Sequence, residues 1–175
     1  MKKLLSLACA LGMLASVSVV SAADVATAPT QSTKKVSGIA SPTYKSSVAT
    51  AKTEVPEGAK IFGFETNGNI DTLNFRDNDS YIEYTASVDN ISNKLLSLVI
   101  HGSNIPGSTT IKYDADGIKE AIKKAYPDAT NIEVVSKKDG NNTYYDAAFD
   151  IAKGHVTATM NPFTAAFGER KITYK

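Results

Sequence analysis

Apolar and polar residues alternate through several stretches of this chain. In YIEYTASV, residues 81–88, Ile82, Tyr84, Ala86 and Val88 share one parity; in YYDAAFDI, residues 144–151, Tyr145, Ala147, Phe149 and Ile151 do the same. Successive side chains of a strand point to opposite faces, so each run predicts a strand with one buried face. The opposite faces carry Tyr81, Glu83, Thr85 and Ser87 in the first and Tyr144, Asp146, Ala148 and Asp150 in the second. Each therefore presents an outward tyrosine two residues before an acid.

Other stretches follow a helical period. In DADGIKEAIKKAYP, Ile118, Ala121, Ile122 and Ala125 recur at helical spacing, Asp114 or Asp116 can cap the start, and Pro127 ends the run. TYKSSVATAKTEVP has Tyr44, Val48, Ala51 and Val55 at the same spacing but is diluted by Ser and Thr of modest propensity, which predicts a weaker helix. Further strands are predicted at IFGFE, LLSLVIHG, TTIKY, NIEVVS, HVTATM and KITYK. Asp139 and Gly140 mark one hairpin turn, and Ala152 to Gly154 a second.

These elements fall into two series in the same order. Pro56, Glu57 and Ile61 match Pro127, Asp128 and Ile132; the two alternating strands match each other; Gly107, Ile111 and Tyr113 match Gly168, Ile172 and Tyr174. The pattern predicts a degenerate tandem repeat over 43–113 and 114–175, with longer connections in the first copy. The expected fold class is α+β: tandem units, each a helix plus a four-stranded antiparallel sheet, forming one sheet with the helices on one face.

A helix ending in YPDAT, then a strand, a turn and the aromatic-acid strand YYDAAF, resembles the PepSY-like domains of exported bacterial proteins, which are related in fold to secreted β-lactamase inhibitor proteins. The resemblance is good over 114–175 and weaker over 43–113. It implies helix-on-sheet units whose concave sheet surface meets a target enzyme. The inhibitor proteins carry disulfides, and here this chain departs from them.

The first 23 residues carry Lys2 and Lys3, an apolar run from Leu4 to Val20 and a small-residue end, which predicts a signal peptide cleaved after Ala22 or Ala23. The single cysteine, Cys9, lies within it, so the mature chain has no thiol. Residues 24–42, rich in Ala, Ser and Thr, predict a disordered linker. An exported, periplasmic or secreted protein with no membrane span after cleavage is expected. Without Lys2 and Lys3, the 19 basic residues fall to 17 against 18 acidic ones, and no basic run points to nucleic acid.

Candidate chemistry is sparse. His101 and His155 have no second histidine or cysteine at metal-ligand spacing, and neither G-x-S-x-G nor a phosphate-binding glycine loop is present. YDADG matches part of a calcium loop, but Lys112 and Lys123 occupy positions that need carboxylates. Asp77 and Asp79 read as a solvated loop tip. No catalytic residue, metal or cofactor is expected.

The segment 66–80 alternates Leu73 and Phe75 with polar neighbours, which either extends the hairpin and exposes an aromatic tip to a partner or covers the sheet edge. The function expected is that of an exported non-enzymatic binding module, an inhibitor of or accessory to an envelope or extracellular hydrolase. Its contact residues would be Tyr81, Glu83, Tyr144 and Asp146 on the open sheet face, with Phe75 on the long loop. The alternative is a periplasmic small-ligand or envelope-sensing domain.

Overall fold

The computed structural model describes residues 36–37, 41–102 and 106–175. The predicted signal peptide and most of the predicted linker lie outside the described residues. The elements are β1 (Val36–Ser37), α1 (Tyr44–Ala51), β2 (Lys60–Asn67), β3 (Ile70–Arg76), β4 (Glu83–Asp89), β5 (Lys94–His101), α2 (Ala115–Ala125), β6 (Thr130–Asp139), β7 (Asn142–Ile151), β8 (Gly154–Met160) and β9 (Phe167–Tyr174). All strands join one antiparallel sheet in the order β1-β2-β3-β4-β5-β9-β8-β7-β6.

The expectation of tandem helix-plus-four-strand units is corrected here. Among the described residues the architecture is a single antiparallel sheet carrying two short helices of 8 and 11 residues. The ladder between β5 and β9, from Ser97 opposite Thr173 to His101 opposite Glu169, runs unbroken across the place where two units would meet. The buried side chains form one group under α1 and another under α2, and Ile100 and Tyr174 pack against both. The sheet, not the helical unit, is therefore what organises the fold.

Local sequence explains the elements. Asp114 caps α2, its Oδ1 accepting the Gly117 N–H at 2.9 Å, while Lys123 and Lys124 sit in the last turn, where the helix dipole favours cations. Ile118 and Ile122, one turn apart, are fully buried. α1 lacks a side-chain cap and instead rests on a buried carboxylate. Asp71 of β3 accepts from Thr43 Oγ1 at 2.6 Å, Ser47 Oγ at 2.7 Å, Thr66 Oγ1 at 2.8 Å and Asn90 Nδ2 at 2.9 Å. Burial alone would push its pKa up, but these hydrogen bonds outweigh it and hold the pKa below the ordinary value.

Three sequence expectations change in detail. The segment read as a loop at 66–80 contains β3, an inner strand reached by a two-residue turn at Gly68 and Asn69. TTIKY is no strand: Ile111 is exposed, and Lys112 and Tyr113 donate their amides to the Pro162 carbonyl. Within the predicted linker, Val36 and Ser37 pair with Thr66 and Glu65 on β2. One close approach fixes a glycine: a Cβ on Gly154 would lie 2.0 Å from the Thr173 carbonyl oxygen.

Candidate functional site

Core side chains leave one face of the sheet, so the alternate residues line the other, on which no helix lies among the described residues. Strand register arranges this open face. Lys60 pairs with Arg76, Arg76 with Glu83, Glu83 with His101 and His101 with Glu169. Asp146 pairs with Thr159 and with Val135, which carries the same line of side chains out to β6. A row of charged and polar groups thus runs in register from β2 to β9 and, past the irregularity between β9 and β8, continues through Thr159 and Asp146 to end at the apolar Val135 of β6.

Contacts along the row are specific. The Arg76 guanidinium lies 5.2 Å over the Phe62 ring and forms an ion pair with Glu83. His101 places Nε2 3.2 Å from Thr85 Oγ1 and Nδ1 3.2 Å from the Glu169 carboxylate. The Glu169 N–H donates to Thr159 Oγ1 at 3.1 Å. Further along the face, His155 Nδ1 is 2.8 Å from Asp150. Hydrogen bonds from Asn131 and then His155 lower the Asp150 pKa.

Between β6 and β9 the face dips into a concavity of about 370 Å³. Its floor follows from small side chains in register, since Ala148 stands opposite Thr157, which in turn stands opposite Lys171. Glu133, Asp146 and Glu169 rim it together with Lys171, and Val135 adds an apolar edge. Three carboxylates against one ammonium give the depression a net negative rim at neutral pH.

Thr85, His101 and Glu169 stand in the order hydroxyl, imidazole, carboxylate that acyl-transfer triads use. Two features weigh against that chemistry. Thr85 Oγ1 also donates to Asn74 Oδ1 at 3.0 Å, and the amides around it belong to a strand paired on both sides, whereas an oxyanion needs free donors. What the arrangement can do is offer a ridge of hydrogen-bonding groups. Among the described residues, no three His, Cys, Asp or Glu side chains group closely enough to hold a metal ion.

The sequence-predicted contact residues separate. Glu83 and Asp146 belong to the same transverse row. Tyr144 is half-buried opposite Lys137, near Pro106 and Thr159. Tyr81 lies outside β4, in the turn closed by the Asp77 N–H to Ile82 carbonyl bond; it is 79% exposed and holds a left-handed φ of 58°. A tyrosine pays for that conformation in steric strain. Phe75 is corrected: it has 0% exposure and sits in the core beside Leu73, out of reach of a partner.

Sequence reasoning missed Arg76, His101 as a link, Glu169 and Lys171. The last two were legible in the alternation of FGERKITY, where Arg170 and Ile172 face the helices and Glu169, Lys171 and Thr173 face outward. The predicted strand KITYK began too late to include Glu169.

No family model matches the chain, and neither a curated protein nor a solved structure matches it. The resemblance to PepSY-like domains rests on the short motifs that carry it. No helix among the described residues is long and apolar enough to cross a membrane.

Proposed function

We propose that the protein is an exported, non-catalytic binding module that engages a protein partner through the open face of its sheet. The observation that carries this reading is the acid-rimmed concavity of Glu133, Asp146 and Glu169 over a floor of small side chains. A lysine or arginine side chain of a partner matches its sign, and complementary charge gives specificity and speed of association. The row from Phe62 and Arg76 to His101 supplies polar and aromatic contacts beside it. Hydrolases of the envelope or the extracellular space remain the partner class that the motif resemblance favours.

The test is affinity capture from the native periplasmic or extracellular fraction with the wild-type protein, Asp146→Lys, and a helix-side control, Lys119→Glu. A partner that binds the wild type and the control but loses at least about tenfold in affinity, or ~1.4 kcal/mol, to Asp146→Lys supports the reading. A partner held equally by all three sinks it. The small-ligand alternative draws on the volume of the concavity, which falls in the ligand-pocket range. Native mass spectrometry showing a bound small molecule would favour it instead.

A further inference from the structure

The two edges of the sheet are finished differently. At one edge, β1 covers Glu65 and Thr66 of β2, and the ladder is irregular between Ile61 and Gly63. At the other, β6 has no neighbour beyond it among the described residues. From Glu133 to Asp139 it runs without irregularity against Ala148 to Asn142, and Val135 is 52% exposed. A long, regular, open edge is a template for another strand.

The hairpin turn decides which backbone groups that template offers. Gly140 and Asn141 form a two-residue turn that closes on the pair Asp139 and Asn142. Such turns close on a hydrogen-bonded pair, and hydrogen-bonded pairs recur at every second residue. Lys137, Val135 and Glu133 therefore turn their amide groups toward β7. Lys138, Ser136 and Val134 direct theirs outward.

We infer that β6 is a self-pairing edge: two copies of the chain join antiparallel about a two-fold axis at Val135, so that one sheet continues into the next. The occupant is argued from charge. About that axis Glu133 of each copy stands opposite Lys137 of the other, giving two unlike pairs on the open face, with Val135 against Val135 between them. The outward amides of Val134 and Ser136 meet as a hydrogen-bonded pair, as antiparallel geometry requires. On the helix side, Lys138 stands opposite the half-buried Ile132, where its aliphatic stem can lie over the isoleucine.

Neighbouring registers lack this match. An axis at Ser136 opposes Glu133 to Asp139 and Lys137 to Val135; an axis at Val134 opposes Glu133 to Val135. Lysines commonly guard an edge against pairing. Here the guard at Lys137 has its counter-charge in place on a second copy. The contact is isologous, so it closes on a dimer and does not propagate through the same edge.

Sedimentation velocity of the purified protein over about a hundredfold range of concentration tests this, because self-association follows mass action. The wild type is expected to show a monomer-dimer equilibrium that weakens with salt. Glu133→Lys and Lys137→Glu each bring like charges together and should raise the dimer dissociation constant at least about tenfold, while the double exchange restores it. Ser136→Pro removes an outward amide without touching the β7 ladder and should leave a folded monomer by circular dichroism. The charge-exchange set decides the question independently of how Ser136→Pro folds. A monomer at every concentration overturns the inference, as does a dimer that single exchanges leave intact or that the double exchange fails to restore. Asp146 stands opposite Val135 at the axis, so the rim acid that separates the two readings is Glu169 on β9, with β8 and β7 between it and β6: Glu169→Lys should weaken partner capture and leave the dimer in place.

Discussion

Ser47 of α1 donates a 2.7 Å hydrogen bond to Asp71, a carboxylate with no exposed surface on the strand beneath. Three more donors, Thr43, Thr66 and Asn90, complete its shell. No cation is among these donors, so neutral groups alone stabilise the charge. Asp71→Ala should cost about 3 kcal/mol, because four hydrogen bonds to a charged group are lost and the buried Ser47 hydroxyl loses its acceptor. Urea denaturation checks it. A loss under about 1 kcal/mol would mean that α1 does not depend on this anchor.

The same carboxylate sets an acid limit. Its folded pKa lies below the ordinary 3.8, so its contribution is fully present above that value and is lost as pH falls through the folded pKa. Stability measured from pH 5 downward should drop less steeply in Asp71→Asn than in the wild type, starting from a lower plateau. Parallel curves for the two proteins would show that Asp71 does not titrate with unfolding.

Helix phase is tested on α2. Ile122 is fully buried and Lys123 exposed. Ile122→Asp should cost several kcal/mol, on the order of 3 to 5, by placing an unpaired charge in the core. Lys123→Asp should cost about 0.5 kcal/mol, part of it from the helix dipole. Equal losses in a denaturant titration would contradict the observed packing.

Phe75 and Tyr81 should behave oppositely. Phe75→Ala empties a core site and should cost about 3 to 5 kcal/mol. Tyr81→Ala, on a ring that stands in solvent, should move stability by less than about 0.5 kcal/mol. If Tyr81 also anchors a partner, its truncation weakens binding by about 2 kcal/mol with the melting curve unchanged. Thermal melts and titration calorimetry on the two variants separate these effects.

Gly154 tests the closeness of β8 and β9. An alanine there brings its Cβ to 2.0 Å from a backbone oxygen, so the ladder at Thr173 and Tyr174 must shift. Gly154→Ala should destabilise by about 1 to 3 kcal/mol, the usual cost of overpacking. Hydrogen exchange should quicken first at the amides of β9 facing β8.

Much of this was legible in the sequence wherever one signal acted alone. α2 was, because Asp114, Ile118 and Ile122 each mark it and nothing competes. The strands at 83–89 and 142–151 were, because apolar residues hold one parity throughout. β3 was legible only in part: Leu73 and Phe75 alternate with polar neighbours, but Asp71 in first place makes the series look like an exposed hairpin extension, whereas its hydrogen-bond shell lets the carboxylate join them in the core. TTIKY misled for the opposite reason, carrying strand-forming residues that tertiary structure leaves as loop. The open-face site was half legible. Glu83 and Asp146 could be placed on one face, but their alignment with His101 and Glu169 depends on register between strands far apart in the chain, which no local pattern encodes.

The pairing of β5 with β9 bears on how this molecule comes into being. Residues 94–101 wait for residues 167–174, and β9 also completes β8, so the middle of the sheet is filled by a strand made after all the others described. Contacts this distant in sequence slow the search for the native state. A chain leaving a ribosome or a secretion channel from its N-terminus would present β5 and β8 with bare edges until residue 174 was free. That delay leaves two unpaired strand edges on the growing chain, the kind of surface on which folding intermediates pair wrongly.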